Sequence, residues 1–199
     1  MKAVIATNNP KKLAEMRAIL SDLDFELLSM DEAGLKLDIE ETGLTFEENA
    51  RIKALAVMNA SGLCAISDDS GLAVKALGGA PGVFSARYGG GACETDLDRC
   101  RFLLSELGER PDREAEFVCC VCCVFPGGEM IETRGVCRGE ILSAPRGEGG
   151  FGYDPLFYLP EQGLSMAQLD EGKKNRISHR GAALAEFREE LCVREKRTD

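Results

Sequence analysis

The stretch Leu63-Cys64-Ala65-Ile66-Ser67-Asp68-Asp69-Ser70-Gly71 decides how the rest of the chain is read. A short apolar run leads into two adjacent carboxylates, a hydroxyl and a glycine. Gly62 and Gly71 bound the run, which is too short for an ordinary helix, so it reads as a buried strand. In α/β proteins ligands gather outside the carboxyl ends of strands, which is where Asp68 and Asp69 are then expected. Neighbouring carboxylates repel each other, and a hard cation or a shared proton relieves that repulsion. An Asp-rich turn accounts for the same residues, because Asp, Ser and Gly all favour turns. Both readings stay open on this stretch alone.

Upstream, Lys2 to Ala6 reads as a strand, followed by the loop Thr7-Asn8-Asn9 and then Pro10-Lys11-Lys12. Leu13, Met16, Ile19 and Leu20 mark one face of a helix, with Asn9 as its N-cap and Pro10 at its first position. Such a strand–loop–helix with lysines suits an anion, because amide N–H groups and the helix dipole point at the loop. An acidic loop follows, Asp38 to Gly43, in which Glu40 and Glu41 offer a further carboxylate for a metal or merely a solvated surface. Thr45 and Glu48 form a capping box for a helix whose buried stripe is Phe46, Ala50, Ala54 and Val57, with Gly62 ending the region. Lys53 lies off that stripe.

Downstream, Ala73-Val74 extends a strand and Gly78 to Gly82 makes a sharp loop. Thr95 begins a helix with Leu97, Cys100, Leu103, Leu104 and Leu107 inward, stopped by Gly108. Phe117 to Phe125 is a continuous apolar run, as expected of a central strand, and Pro126-Gly127-Gly128 turns the chain into a second strand around Met130 to Cys137. Two overlapping Cys-x-x-Cys spacings fall within Cys119, Cys120, Cys122 and Cys123. Strand side chains alternate between faces, so these four do not converge on one ion and read as small hydrophobes. Further on, Gly147 to Asp154 sets Phe151 and Tyr153 among glycines, where backbone can approach a flat ligand. Lys173 to Gly181 carries the chain's only histidine, His179, beside Arg180, ahead of a C-terminal helix with Leu184, Phe187 and Leu191 inward.

Composition narrows the function classes. A chain of 199 residues can bury a core and is expected to form one domain, with residues after about 192 as a short tail. Its 44% hydrophobic and 29% charged content is that of a soluble globular protein. The net charge of -10 argues against broad nucleic-acid binding, yet a few lysines and a divalent ion can still hold a small anion. No run is apolar enough to suggest a membrane span and no signal-peptide layout opens the chain, so a cytosolic setting is expected. Phosphate-facing lysines, carboxylates for a divalent ion and an aromatic in a glycine loop together suit a nucleoside triphosphate.

The blocks ATNNPKK, EETGLTFEENARIKA, ISDDSGLAVKALGGAPGVFSARY, GGFGYDPLF and KKNRISHRG carry a family resemblance. In that order, from about Thr7 to Leu184, the chain resembles the inosine triphosphatase or XTP/dITP pyrophosphatase group. The resemblance implies an α/β fold, an elongated mixed sheet flanked by helices, with a nucleotide cleft between two lobes. It implies Mg²⁺-dependent hydrolysis of ITP, dITP and XTP to the monophosphate and pyrophosphate, and a homodimer. By position, it assigns Thr7, Asn8, Asn9, Pro10, Lys11, Lys12, Lys53 and Ser70 to substrate binding. It assigns Glu40 and Asp69 to the metal, with Asp69 also the general base, and Phe151, Gly152, Tyr153, Asp154, Lys174, His179 and Arg180 to the base pocket. Lys11 departs from the family, which often has glycine there. Two alternatives stay open: a pyrophosphatase for other modified nucleotides, and a nucleotide-binding module without turnover.

Overall fold

A computed structural model describes residues 1–198 of the chain. Its strands and α-helices, in chain order, are β1 (Lys2–Ile5), α1 (Pro10–Ile19), β2 (Glu26–Ser29), α2 (Phe46–Ser61), β3 (Cys64–Val74), α3 (Asp96–Leu107), β4 (Glu114–Val124), β5 (Met130–Ile141), β6 (Phe157–Leu159), β7 (Leu164–Ser165), α4 (Glu171–Ile177) and α5 (His179–Thr198). The strands form one seven-stranded sheet in the order β2-β1-β3-β4-β5-β6-β7. It is mixed: β1 runs parallel to β2 and β3, whereas β6 runs antiparallel to β5 and β7. The α/β class that the family resemblance implies is the one found.

Two compact units make up the chain, and neither is continuous in sequence. Unit 1 comprises Met1–Asp69, Cys119–Gly135 and His179–Asp199; unit 2 comprises Ser70–Val118 and Val136–Ser178. Strands β3, β4 and β5 each contribute residues to both units.

Unit 1 has a core of Ala3, Ile5, Met16, Leu20, Ile66, Val121, Leu184, Phe187 and Leu191, with Leu13 and Ile19 packed at its margin. The α1 stripe and the inward face of α5 therefore land as their 3.6-residue periods require. Cys119, Val121 and Cys123 belong to this core, while Cys120 lines a small cavity beside Glu47, so the cysteines of β4 do alternate between faces. Helix α5 approaches β5 closely at Gly135, where a Cβ would lie 2.1 Å from the His179 carbonyl oxygen. No other residue fits there. The residues expected as a tail continue α5 through Thr198, and Asp199 lies outside the described residues.

Unit 2 has its own core, built from Leu72, Val74, Cys100, Leu103, Leu107, Phe117, Ile141, Tyr153, Leu156 and Phe157. Leu97, expected inward on α3, is 44% exposed. Thr95 and Asp98 form a full capping box at the start of that helix. The box expected on α2 is rearranged: the Glu48 N–H donates to Thr45 Oγ1 at 3.1 Å, but the Glu48 carboxylate accepts from Leu44 N–H at 2.6 Å rather than from Thr45.

One expectation is overturned by β3. It does not stop before the acids; it runs from Cys64 to Val74 straight through Asp68 and Asp69. Residues that favour turns are held extended by their partners, as described below. The carboxyl-end rule still applies through the neighbouring strand. Strand β1 pairs in parallel with Cys64, Ala65 and Ile66 and then ends, so the acids lie just past its carboxyl end.

Candidate active site

Beyond β1, the Ala6 N–H donates to the Ile66 carbonyl at 2.8 Å and the chain leaves the sheet. Thr7 Oγ1 accepts the Asn9 N–H at 3.2 Å, which tightens the loop. Asn9 caps α1 as expected, its Oδ1 accepting from the N–H groups of Lys11 at 2.9 Å and Lys12 at 3.2 Å. Those first-turn amides, expected to face an anion, are engaged by Asn9. Asn8, Asn9, Pro10 and Lys11 are exposed, while Lys12 turns its Nζ to Asp68 Oδ2 at 3.0 Å.

The two neighbouring acids have opposite surroundings. Asp68 Oδ2 accepts from Arg180 Nη2 at 2.8 Å and Nε at 3.2 Å, in addition to Lys12. Arg180 reaches Glu15 with its Nη1. Burial by itself would raise the Asp68 carboxyl; Lys12, Arg180 and Lys53 more than offset it and hold the group far below its ordinary value. Asp68 is a fixed negative charge. Across from it, the Cys119 thiol is pushed up to about 12 by burial and by Asp68.

Asp69 has fewer partners. Its Oδ1 accepts from Lys53 Nζ at 3.1 Å and its Oδ2 from Asn49 Nδ2 at 3.3 Å. Burial and the nearby Glu41 raise its carboxyl above the ordinary value despite the pull of Lys53 and Lys12. Lys53 also binds Glu41 Oε1 at 2.6 Å, and Asp69, Asp68 and Glu41 together outweigh burial and raise its ammonium. A proton acceptor raised from its ordinary value, next to a lysine that stays charged, is a workable base.

Unit 2 contributes a different arrangement. Asp154 is buried and organises the glycine loop: its Oδ2 accepts from Phe151 N–H at 2.9 Å and from Lys174 Nζ at 2.8 Å. Helix α4 supplies Lys174, whose Nζ stands 4.5 Å from the Phe151 ring centroid. The Gly152 N–H donates to Asp96 Oδ2 at 2.7 Å. Tyr153 is buried in the core, its hydroxyl donating to the Ser85 carbonyl at 2.9 Å. That hydroxyl is committed to shaping the loop.

The expected residues are thus gathered unevenly. Unit 1 brings together Lys12, Lys53, Asp69, His179 and Arg180 with the phosphate-loop residues; unit 2 brings together Phe151, Gly152, Tyr153, Asp154 and Lys174, and Ser70 continues β3. Arg180, expected to read a base, is 1% exposed and has its guanidinium between Asp68 and Glu15. Glu40, expected at the metal, is exposed, and it is its neighbour Glu41 that joins Lys53 and Asp69. Sequence reasoning passed over Glu15, Asn49, Ser85 and Asp96. Of these, only Asn49 carried a signal: a polar residue one turn before Lys53, beside the buried Ala50.

A divalent cation fits the unit 1 carboxylates. Among the described residues no three His, Cys, Asp or Glu side chains form a ready metal cage. Asp69 and Glu41 are hard oxygen donors already sharing one positive charge, the Lys53 ammonium. Mg²⁺ typically takes one or two carboxylates and completes its shell with water and substrate phosphates. A cavity of about 930 Å³ in unit 2, lined by Ala73, Lys75, Glu116, Val136, Arg138 and Glu161 among others, includes none of these residues. Side-chain chemistry, rather than volume, locates the candidate site.

The chain is 50% identical over 183 residues to the dITP/XTP pyrophosphatase of Nostoc sp., covering 92% of this chain and 90% of that protein. It is 47% identical over 192 residues to the dITP/XTP pyrophosphatase of Geobacter sulfurreducens, covering 96% of each. A HAM1 protein from Coxiella burnetii has the same fold, with a TM-score of 0.88, 43% identity and coverage of 97% of this chain and 99% of that one. The nucleoside-triphosphatase / dITP/XTP pyrophosphatase of Mycobacterium abscessus matches with a TM-score of 0.76 and 41% identity over 94% of this chain and 98% of its own. A sequence model of the Ham1 family spans residues 3–190, which takes in every side chain of the charge network and of the glycine loop, and the chain belongs to that family.

Proposed function

We propose that this protein hydrolyses deaminated purine nucleoside triphosphates, dITP, ITP and XTP, to the monophosphate and pyrophosphate, clearing them before they enter DNA and RNA. The observation that carries this reading is the contrast between Asp68, locked as a charge, and Asp69, buried and raised beside Lys53. Asp69 takes the proton of, or orients, the water that attacks the α-phosphorus. Lys12 and Lys53 offset charge that develops on the departing pyrophosphate. Asp69 and Glu41, with Glu40 adjoining, would hold Mg²⁺, which when bound draws charge from the phosphate oxygens.

In unit 2 the Phe151 ring offers a face to a purine, and the Lys174 ammonium beside it is a donor for a six-oxo group. An amino group at that position, as in adenine, leaves the donor unmatched, and sites built on hydrogen bonds reject such substrates strongly. Lys174 takes the recognition role first expected of Arg180, whose guanidinium serves Asp68. Thr7, Asn8 and Lys11 stay as phosphate-side contacts and Ser70 as a substrate contact in this reading. A homodimer and a cytosolic setting belong to it as well, carried by family resemblance. Among the described residues no helix is long and apolar enough to cross a membrane.

The test is a substrate panel with pyrophosphate detection at fixed Mg²⁺. Expected is kcat/KM for dITP and XTP at least about 100-fold above dATP, the discrimination a hydrogen-bonding site can reach. Equal rates for all nucleotides, or orthophosphate as the product, would overturn it. Binding without turnover would favour the module reading.

A further inference from the structure

Helix α2 sends two side chains, one turn apart, to the two oxygens of a single carboxylate. Asn49 Nδ2 donates to Asp69 Oδ2 at 3.3 Å and Lys53 Nζ to Asp69 Oδ1 at 3.1 Å. Both residues also reach back to the acidic loop. Lys53 meets Glu41 Oε1 at 2.6 Å, and Asn49 Oδ1 accepts the Gly43 N–H at 2.8 Å.

The polarity of this arrangement is forced. A backbone N–H can only donate, so the oxygen of the Asn49 carboxamide faces Gly43 and the NH₂ end faces Asp69. Asn49 is 0% exposed, so bulk solvent reaches neither end. The approach of the loop depends on glycine: a Cβ at position 43 would lie 2.7 Å from Asn49 Oδ1 and 2.7 Å from Glu48 Cβ.

We propose that Asn49 is a positioning residue, which ties the loop around Glu41 and Gly43 to β3 and sets the orientation of the Asp69 carboxylate for the reaction proposed above. The inference rests on that reaction. A carboxylate that rotates freely presents its oxygens to a water or a cation in many directions; one gripped at both oxygens presents only its remaining lone pairs. Partners that orient a ligand or base in this way are commonly worth 10- to 100-fold in affinity or activity.

Two substitutions separate positioning from simple packing. Asn49→Ala removes both hydrogen bonds. Asn49→Asp has nearly the same volume and still accepts the Gly43 N–H, but it replaces the donor to Asp69 with a second carboxylate oxygen. Expected is a fall in kcat of about 10- to 100-fold in Asn49→Ala and at least as large a fall in Asn49→Asp, with KM for dITP within about threefold of wild type. Wild-type kcat in Asn49→Asp, or in both variants, overturns the proposal. Should neither variant fold, Gly43→Ala attacks the same hook from the loop side: lowered kcat supports the proposal and unchanged kcat overturns it. The hook is also read without turnover. The Gly43 amide proton should exchange with solvent about fivefold faster or more in Asn49→Ala and stay protected in Asn49→Asp. A wild-type chain that releases no pyrophosphate from dITP sinks the proposed function alone. Unchanged Gly43 exchange in Asn49→Ala sinks this inference alone.

Discussion

In unit 1, the carboxylates of Glu15, Glu41, Asp68 and Asp69 are met by Lys12, Lys53 and Arg180. In unit 2, the buried Asp154 is met by Lys174 at 2.8 Å, against the Phe151 ring. Unit 1 therefore carries one more acid than base in its cluster, and within it the Asp69 carboxyl is raised, by burial first and by Glu41 after it. Unit 2 pairs one acid with one base beside an aromatic ring. On the function proposed above, the difference is a division of work: the unit 1 cluster takes the cation and the phosphates, and the glycine loop with Phe151 and Lys174 takes the base.

The sharpest way to break this comparison is Asp69→Asn. Asparagine keeps the volume but can neither take a proton nor bring charge to a cation. We expect kcat to fall by about 10²- to 10⁴-fold with the far-ultraviolet circular dichroism unchanged. Retention of more than about a tenth of the rate would remove Asp69 as the base.

Asp68→Ala should act on stability instead. It strips the buried Arg180 of a partner, and breaking a buried ion pair costs about 3–5 kcal/mol, so Tm should drop by roughly 10 °C or more. The pH dependence has a definite sign. Because the folded-state carboxyl of Asp68 is held below its ordinary value of 3.8, its contribution is full above that value and is lost as pH falls through the range beneath it. Thermal scans should show wild type losing stability on acidification below about pH 4 and the alanine variant losing less, so that the two converge. Parallel curves would mean that Asp68 is not the charge it is argued to be.

The smallest expected effect comes from unit 2. Phe151→Ala should raise KM for dITP about tenfold and change kcat little, since stacking on one base is worth about 1–3 kcal/mol. A collapse of kcat would show that the glycine loop takes part in the chemistry and would blur the contrast between the units.

The helices were legible where an apolar stripe is long enough to repeat, as in α1 and α5, and where caps announce them, as at Asn9 and Thr95. Strands β6 and β7 and helix α4, of three, two and seven residues, are too short for any period to declare itself. The length of β3 was hidden for another reason. Asp, Ser and Gly favour turns locally, and tertiary context overrides that preference: β3 lies between β1 and β4, and Asp68 pairs with Lys12 and Arg180. Asp69 and Lys53 could be singled out by type and spacing, but the choice of Glu41 over Glu40 depends on how one loop is threaded. Arg180 could be singled out as a residue, but its pairing with Asp68 spans 112 positions and no local pattern points to it.

That separation has a consequence for how the chain is made. Unit 1 opens with the first residues, is interrupted after Asp69, resumes at Cys119, and is completed only by the helix that starts at His179. During synthesis Asp68 emerges well before the guanidinium that pairs with it, with Lys12 already made. Closing a pairing over 112 or, for Glu15 and Arg180, 165 residues is slow because so much loop entropy is spent first. Until then the nascent polypeptide carries an exposed acidic strand and an unfinished core, a state in which a chaperone has work to do.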